Sequence, residues 1–291
     1  MKLHEDADWM EGRRRAMVEK KVPQYLYKFR SWSDNNINDR KIITNQMVWF
    51  ASPASLNDPF DCKIPFRYDL MPRDGLFKRI SNLGRERHPD WDEQRLRAEC
   101  ERIMACHPSL SADSNVREKG YSDFSRLIEE SHGILSFAGV YKNILLWSHY
   151  ADSHHGFCVE VDAKLLAEEL FDLLRTDRHL IDFAKVKYEK ELPVVIPLND
   201  TDQDHERYMK VFCCKSPAWQ YEKEYRFIYV GKTSLARYIS KSAIRRVILG
   251  CQMNSKVERE IISIITHRLP DCKIWKAKKS NDNFKLEFAP I

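Results

Sequence analysis

Gly156-Phe157-Cys158-Val159-Glu160-Val161 runs without a break into Asp162-Ala163-Lys164-Leu165-Leu166-Ala167-Glu168-Glu169-Leu170-Phe171-Asp172-Leu173-Leu174. The first six residues read as a strand. Asp162 then caps a helix whose Leu165, Leu166, Leu170, Leu173 and Leu174 form one apolar face. Strand and helix alternate in short pieces on both sides of this junction. Upstream, Tyr25 to Arg30 and Met47 to Ala51 read as strands, the first from alternating aromatic residues. Asp34 to Asp39 between them is turn-rich, and Gly133 to Phe137 returns to strand character. Downstream, strands are expected around Val186–Tyr188 and Glu224–Val230, with a helix around Asp204–Cys214. Ser255-Lys256-Val257-Glu258 has the form of a capping box for a helix stopped by Pro270. Lys273–Lys278 and Phe284–Phe288 flank Ser280 to Asn283 as a terminal hairpin. Trp91–His107 and Tyr121–Ser131 have helical spacing and heavy charge. The expected fold is therefore α+β, with a split, mostly antiparallel β core and a helical insert at about 74–131. Residues 1–22 form a charged arm, and 23–291 a single α+β domain.

Composition narrows the function classes. The chain has 291 residues, 43% hydrophobic and 31% charged, which excludes global disorder. It holds only 9 glycines, few for a fold that depends on Gly-rich phosphate loops. Lys+Arg number 48 against 43 Asp+Glu, a net charge of +5. Residues 241–291 alone carry 11 Lys/Arg and 5 Asp/Glu, so any surface facing a polyanion is expected near the C-terminus. The 8 cysteines include no CxxC pair, and neither a signal sequence nor a membrane span is evident. These features predict a soluble cytoplasmic protein with reduced thiols and no membrane partner.

Several motifs fail on spacing. Gly231-Lys232-Thr233 ends like a phosphate-binding loop, but the required glycine five positions earlier is Arg226. There is no GxGxxG, and so no dinucleotide-binding Rossmann unit. His149, His154, His155 and Cys158 crowd together without any standard zinc-ligand spacing, and no metal site is assigned. Glu160 and Asp162, with Lys164 beyond, offer the acids of a Mg²⁺-dependent nuclease, although Asp162 has a structural task as helix cap.

Four clusters combine aromatic, small polar and charged residues in a way that packing alone does not require. They are Leu26 to Arg30, Trp49 to Asp61, Leu146 to Asp152 with His155-Gly156-Phe157, and Lys215 to Phe227. The second contains Trp49-Phe50-Ala51-Ser52-Pro53 and Asn57-Asp58-Pro59-Phe60-Asp61. The third contains Trp147-Ser148-His149-Tyr150-Ala151, and the fourth Trp219-Gln220-Tyr221-Glu222-Lys223-Glu224-Tyr225-Arg226. In this order the clusters resemble the signature of the bacterial family named domain of unknown function 2971, a name that brings no activity with it.

A weaker similarity is to ADP-ribosyltransferase-like toxins, chiefly those that modify thymidine in DNA. It rests on an aromatic and basic first strand, a second strand ending in Ser, and a late strand introduced by Glu-x-Glu. The resemblance implies an enzyme that uses NAD to modify a macromolecule, nucleic acid or protein, in a toxin or phage-defence role with an antitoxin partner. Breaking the nicotinamide–ribose bond passes through an oxocarbenium-like state that a carboxylate stabilises. Glu224 and Glu222 would be catalytic, both on one face of a strand. Tyr27, Lys28, Arg30, Ser52, Trp147, His149 and Tyr150 would bind the cofactor, by stacking or by neutralising the pyrophosphate. Asn57, Asp58 and Arg226 would bind substrate. The competing expectations are a metal-dependent nuclease and a non-catalytic binding or regulatory module.

Overall fold

In the computed structural model, residues 22–33, 37–65, 67, 70, 72–106, 114–177, 181–196 and 209–291 are described. Strand β4 (Phe157–Asp162) lies well inside an eight-stranded sheet, and all of its residues but Asp162 are buried. Such a run fits a strand covered on both faces, where apolar residues are needed on each side. Its antiparallel neighbours are β1 (Tyr25–Arg30) and β10 (Ile244–Leu249). The sheet continues from β1 to β3 (His132–Ala138), β8 (Glu224–Val230) and β5 (Ile181–Lys185). On the other side β10 pairs with β11 (Lys273–Lys279), and β11 with β12 (Leu286–Pro290). Only the β10–β11 pair is parallel, so the sheet is mostly antiparallel. A smaller antiparallel pair joins β2 (Met47–Phe50) to β9 (Leu235–Tyr238).

One sheet face carries Leu26, Phe137, Val159, Phe227 and Val247. Against it pack Ile42 and Ile43 of α1 (Ile37–Thr44), Leu166 and Leu170 of α6 (Ala163–Asp177), and Ile261 and Ile265 of α7 (Ser255–Arg268). The opposite face carries Tyr27, Phe29, Ala138, Cys158 and Ile248 beneath Leu146 and Trp147 of α5 (Ile144–Tyr150). Asp162 does cap α6, its Oδ1 accepting from the backbone N–H groups of Lys164 and Leu165. The α7 cap differs from expectation: Asn254, one residue before Ser255, accepts from Lys256 N–H, and Glu258 pairs with Lys276 instead. The stretch Asp34–Asp39, read as a turn, contains the start of α1. Of the expected helix at Asp204–Cys214, residues 204–208 lie outside the described residues, 209–212 are helical, and Cys214 already belongs to a strand; the N-terminal arm lies outside the described residues apart from Val22.

Every element named so far lies in one compact unit, drawn from Met1–Ser52, Ser131–Val186 and Ala218–Ile291. A second unit comprises Pro53–Glu130 and Lys187–Pro217. It contains α2 (Arg73–Arg87), α3 (Glu93–Cys106) and α4 (Ser114–Ser131) up to Glu130, which occupy the stretch read as a helical insert. It also holds a short parallel pair, β6 (Lys187–Tyr188) with β7 (Cys214–Lys215). Gly84 of α2 faces Leu96 of α3, where an added Cβ would meet a methyl at 2.5 Å.

Candidate functional site

The Glu222–Glu224 pair is built by a change of backbone. Pro217–Glu222 is a 3-10 helix, Lys223 takes a left-handed conformation (φ 47°), and β8 begins at Glu224. The two acids are therefore not alternate residues of one strand, which corrects the sequence expectation. The turn is clamped by Gly139, whose N–H donates to Lys223 O at 2.9 Å. A Cβ on Gly139 would lie 2.8 Å from that carbonyl, so only glycine allows the approach. Non-glycine left-handed residues cost roughly 1–2 kcal/mol and concentrate at functional sites.

Neither acid is solvated: Glu222 is 4% and Glu224 5% exposed. Glu224 accepts from Arg226 through both carboxylate oxygens, at 2.7 Å from Nε and 2.9 Å from Nη2. The two residues stand at i and i+2 on β8 and so share a face. Glu222 accepts from the Tyr150 hydroxyl at 2.6 Å. Beside Tyr150, the exposed His149 ring lies 6.3 Å from the Tyr150 ring and 6.2 Å from that of Tyr221. Trp219 extends the row at 6.1 Å from Tyr221. A buried carboxylate with a phenol on it thus sits next to a partly open row of rings. The sequence reading gave site roles to His149 and Tyr150 but none to Trp219 and Tyr221, although it quoted both in the same motif as Glu222.

The remaining predicted residues do not all join this group. Trp147 is fully buried, packs edge-on against Phe29, and donates from Nε1 to Tyr141 O at 2.7 Å. It is a core residue and cannot stack on a cofactor. Tyr27 is also buried; burial and its hydrogen-bonded neighbour Glu160 push its phenol pKa up, so it stays a neutral donor. Glu160 in turn pairs with Arg246, whose guanidinium lies over Trp275 at 4.1 Å and Tyr141 at 5.1 Å. The acids of the nuclease reading are thereby engaged, Glu160 by Arg246 and Asp162 by the α6 cap. Among the described residues no three His, Cys, Asp or Glu side chains come together as metal ligands.

Lys28 and Arg30 extend from β1 toward protein partners. Strand β1 pairs with β4 along its whole length but with β3 only at Tyr27↔Ala138. Next to that thin join, Lys28 Nζ donates to Ser136 O at 2.5 Å and lies 5.6 Å from the Phe137 ring. Burial, then the neighbouring Arg30 charge, hold the Lys28 ammonium well below its usual pKa. Arg30 pairs with Asp39 of α1 at 3.3 Å. Both side chains thus already have partners within the protein. Ser52 follows β2 at the end of the first of the three segments that make up the first unit, and is half-buried. In the second unit Asn57 is exposed and Asp58 is buried, its Oδ1 accepting from Phe60 N–H at 2.9 Å. Asp61 there pairs with buried Lys215 at 3.6 Å.

A family model described as "Protein of unknown function (DUF2971)" matches residues 146–227. The stretch contains Trp147 to Tyr150 and the whole Trp219–Arg226 motif, so the resemblance to that family is borne out there. No curated protein and no solved structure matches the chain. Among the described residues no helix is long and apolar enough to cross a membrane.

Proposed function

We propose that the chain is an ADP-ribosyl-transfer enzyme that takes NAD as donor, with Glu222, rather than Glu224, facing the ribose. The observation that carries this reading is the Tyr150–Glu222 hydrogen bond of 2.6 Å beside the His149, Tyr221 and Trp219 rings. Rings open to solvent suit a planar heterocycle such as nicotinamide. A carboxylate held by a phenol is preorganised to stabilise positive charge on a ribose C1′. In the reaction the C1′–N bond breaks, its electron pair leaving with nicotinamide. A lone pair of the acceptor forms the new bond at C1′, and the acceptor loses a proton to solvent or to a neighbouring base.

Glu224 takes a positioning role in this account. Locked by Arg226, it fixes the start of β8 and so the turn through Lys223 that presents Glu222. Exposed Lys223, between the two acids, is the cation nearest to hand for a phosphate, since Lys28 and Arg30 already have partners within the protein.

Incubation with NAD⁺ labelled in the nicotinamide ring tests the reading. Release of nicotinamide by the wild type and its loss in Glu222→Gln are the expected result. A shift of thermal unfolding by NAD⁺ without nicotinamide release would replace the enzyme by a binding module. No shift and no release would remove NAD altogether.

A further inference from the structure

Phe284 is fully exposed, more than any other large apolar residue among the described ones. It stands in the connection of the β11–β12 hairpin, Ser280-Asn281-Asp282-Asn283-Phe284-Lys285. Lys278, Lys279 and Lys285 beside it are exposed as well. The hairpin's own backbone holds this loop, with Ser280 N–H donating to Lys285 O at 3.1 Å and Lys285 N–H to Asn283 O at 2.8 Å. Leu286 and Ala277 root the strands in the core under α5. The tip is thus an exposed aromatic ring on a hydrogen-bonded hairpin that carries three exposed lysines, with Asp282 and Glu287 also exposed along it.

We infer that the β11–β12 hairpin docks single-stranded nucleic acid, with Phe284 stacking on a base and Lys278, Lys279 and Lys285 contacting phosphates. The inference does not depend on the NAD reading. Its chemistry is that of sequence-tolerant strand binding, in which every base offers a π-face and cations follow the backbone. One isolated ring flanked by Asn281, Asp282 and Asn283 is a poor lipid anchor, because membrane insertion needs a contiguous apolar face. Lys285 stands 3.8 Å from Glu287, and Lys278 is the cross-strand neighbour of the same residue, but exposed pairs of this kind are easily exchanged for a phosphate. Lys279 also lies near His154, whose pKa is lowered by burial first and by the Lys279 charge second.

The test is fluorescence anisotropy with labelled oligothymidylate and oligouridylate across about 50 to 200 mM salt. Binding that weakens with salt is expected, reduced about tenfold in Phe284→Ala and retained in Phe284→Tyr. The triple variant K278Q/K279Q/K285Q should flatten the slope of log affinity against log salt by about 2, the value for three phosphate contacts on a single strand. Equal affinity in wild type, Phe284→Ala and the triple variant would overturn the inference. So would a preference for duplex DNA, or binding to phosphatidylserine vesicles without binding to oligonucleotides. Because all four side chains lie on the surface, thermal unfolding of the variants should match wild type.

Discussion

Glu224 and Arg226 form a fully desolvated carboxylate–guanidinium pair, and such pairs are costly to break from one side only. Arg226→Met should lower stability by about 3–5 kcal/mol in urea unfolding, since it leaves Glu224 buried and unpaired. A loss within about 0.5 kcal/mol, the range for an ordinary surface substitution, would contradict the pairing. Glu224→Gln breaks the same pair, so its effect on any activity must be read against its stability. Lys28 gives a pH signature. Its folded pKa lies well below the ordinary 10.5, chiefly through burial. Between those two values the unfolded chain holds a proton that the folded chain has released, so this residue's contribution to stability rises with pH up to the unfolded pKa. Comparing wild type with Lys28→Met from pH 7 to 9, the wild type should gain relative stability by at most about 1.4 kcal/mol per pH unit. A flat difference would show that Lys28 does not titrate abnormally. The sequence made Glu222, Glu224, His149 and Tyr150 visible as residue types in a motif. It could not show that Trp147 points inward, because a tryptophan in a short apolar segment serves a core and a stacking site equally well.

At the level of elements, the turn from the 3-10 helix into β8 is the decisive device. Lys223 at φ 47° and the close approach of Gly139 together set where Glu222 points. Gly139→Ala should cost about 1–3 kcal/mol by overpacking against Lys223 O and should weaken whatever function Glu222 serves. Lys223→Gly should be neutral or stabilising, since glycine adopts positive φ without steric strain; marked destabilisation would show that the lysine side chain itself matters. A related clamp holds the turn after α5. Asp152, Ser153 and His154 all have positive φ, and a Cβ on Gly250 would lie 2.1 Å from His154 O. Strands β1, β2, β3, β4, β8 and the terminal hairpin were legible because alternation and β-branched or aromatic residues mark them locally, whereas β10 was not read as a strand. The Glu222 turn was not, since Trp219 to Arg226 alternates well enough to pass for one continuous strand. Helix α1 was hidden for the opposite reason: Asp34 to Asp39 has turn composition, and α1 is stabilised by Ile42 and Ile43 packing on the sheet.

For the whole molecule, the eight-stranded sheet explains why distant segments meet. Tyr27, Tyr141, Glu160, Arg246 and Trp275 form one network although no spacing rule connects them, because β1, β4, β10 and β11 are neighbours in the sheet and not in sequence. That order of strands is what the sequence did not reveal, whereas the α+β class and the helical stretch before β3 could be read from period and charge. Native-state hydrogen exchange should find β4 among the most protected strands and β12, at the sheet edge, among the least; the reverse order would conflict with the topology. The functional account depends on Glu222 working on a ribose beside the rings of α5 and the 3-10 helix. Its most direct test is single-turnover release of nicotinamide from NAD⁺ by wild type, Glu222→Gln and Tyr150→Phe, each checked for unchanged thermal unfolding. The account predicts release by wild type, a loss of about 10²–10³ in Glu222→Gln, and a smaller loss in Tyr150→Phe. Wild-type release that survives in Glu222→Gln would contradict it.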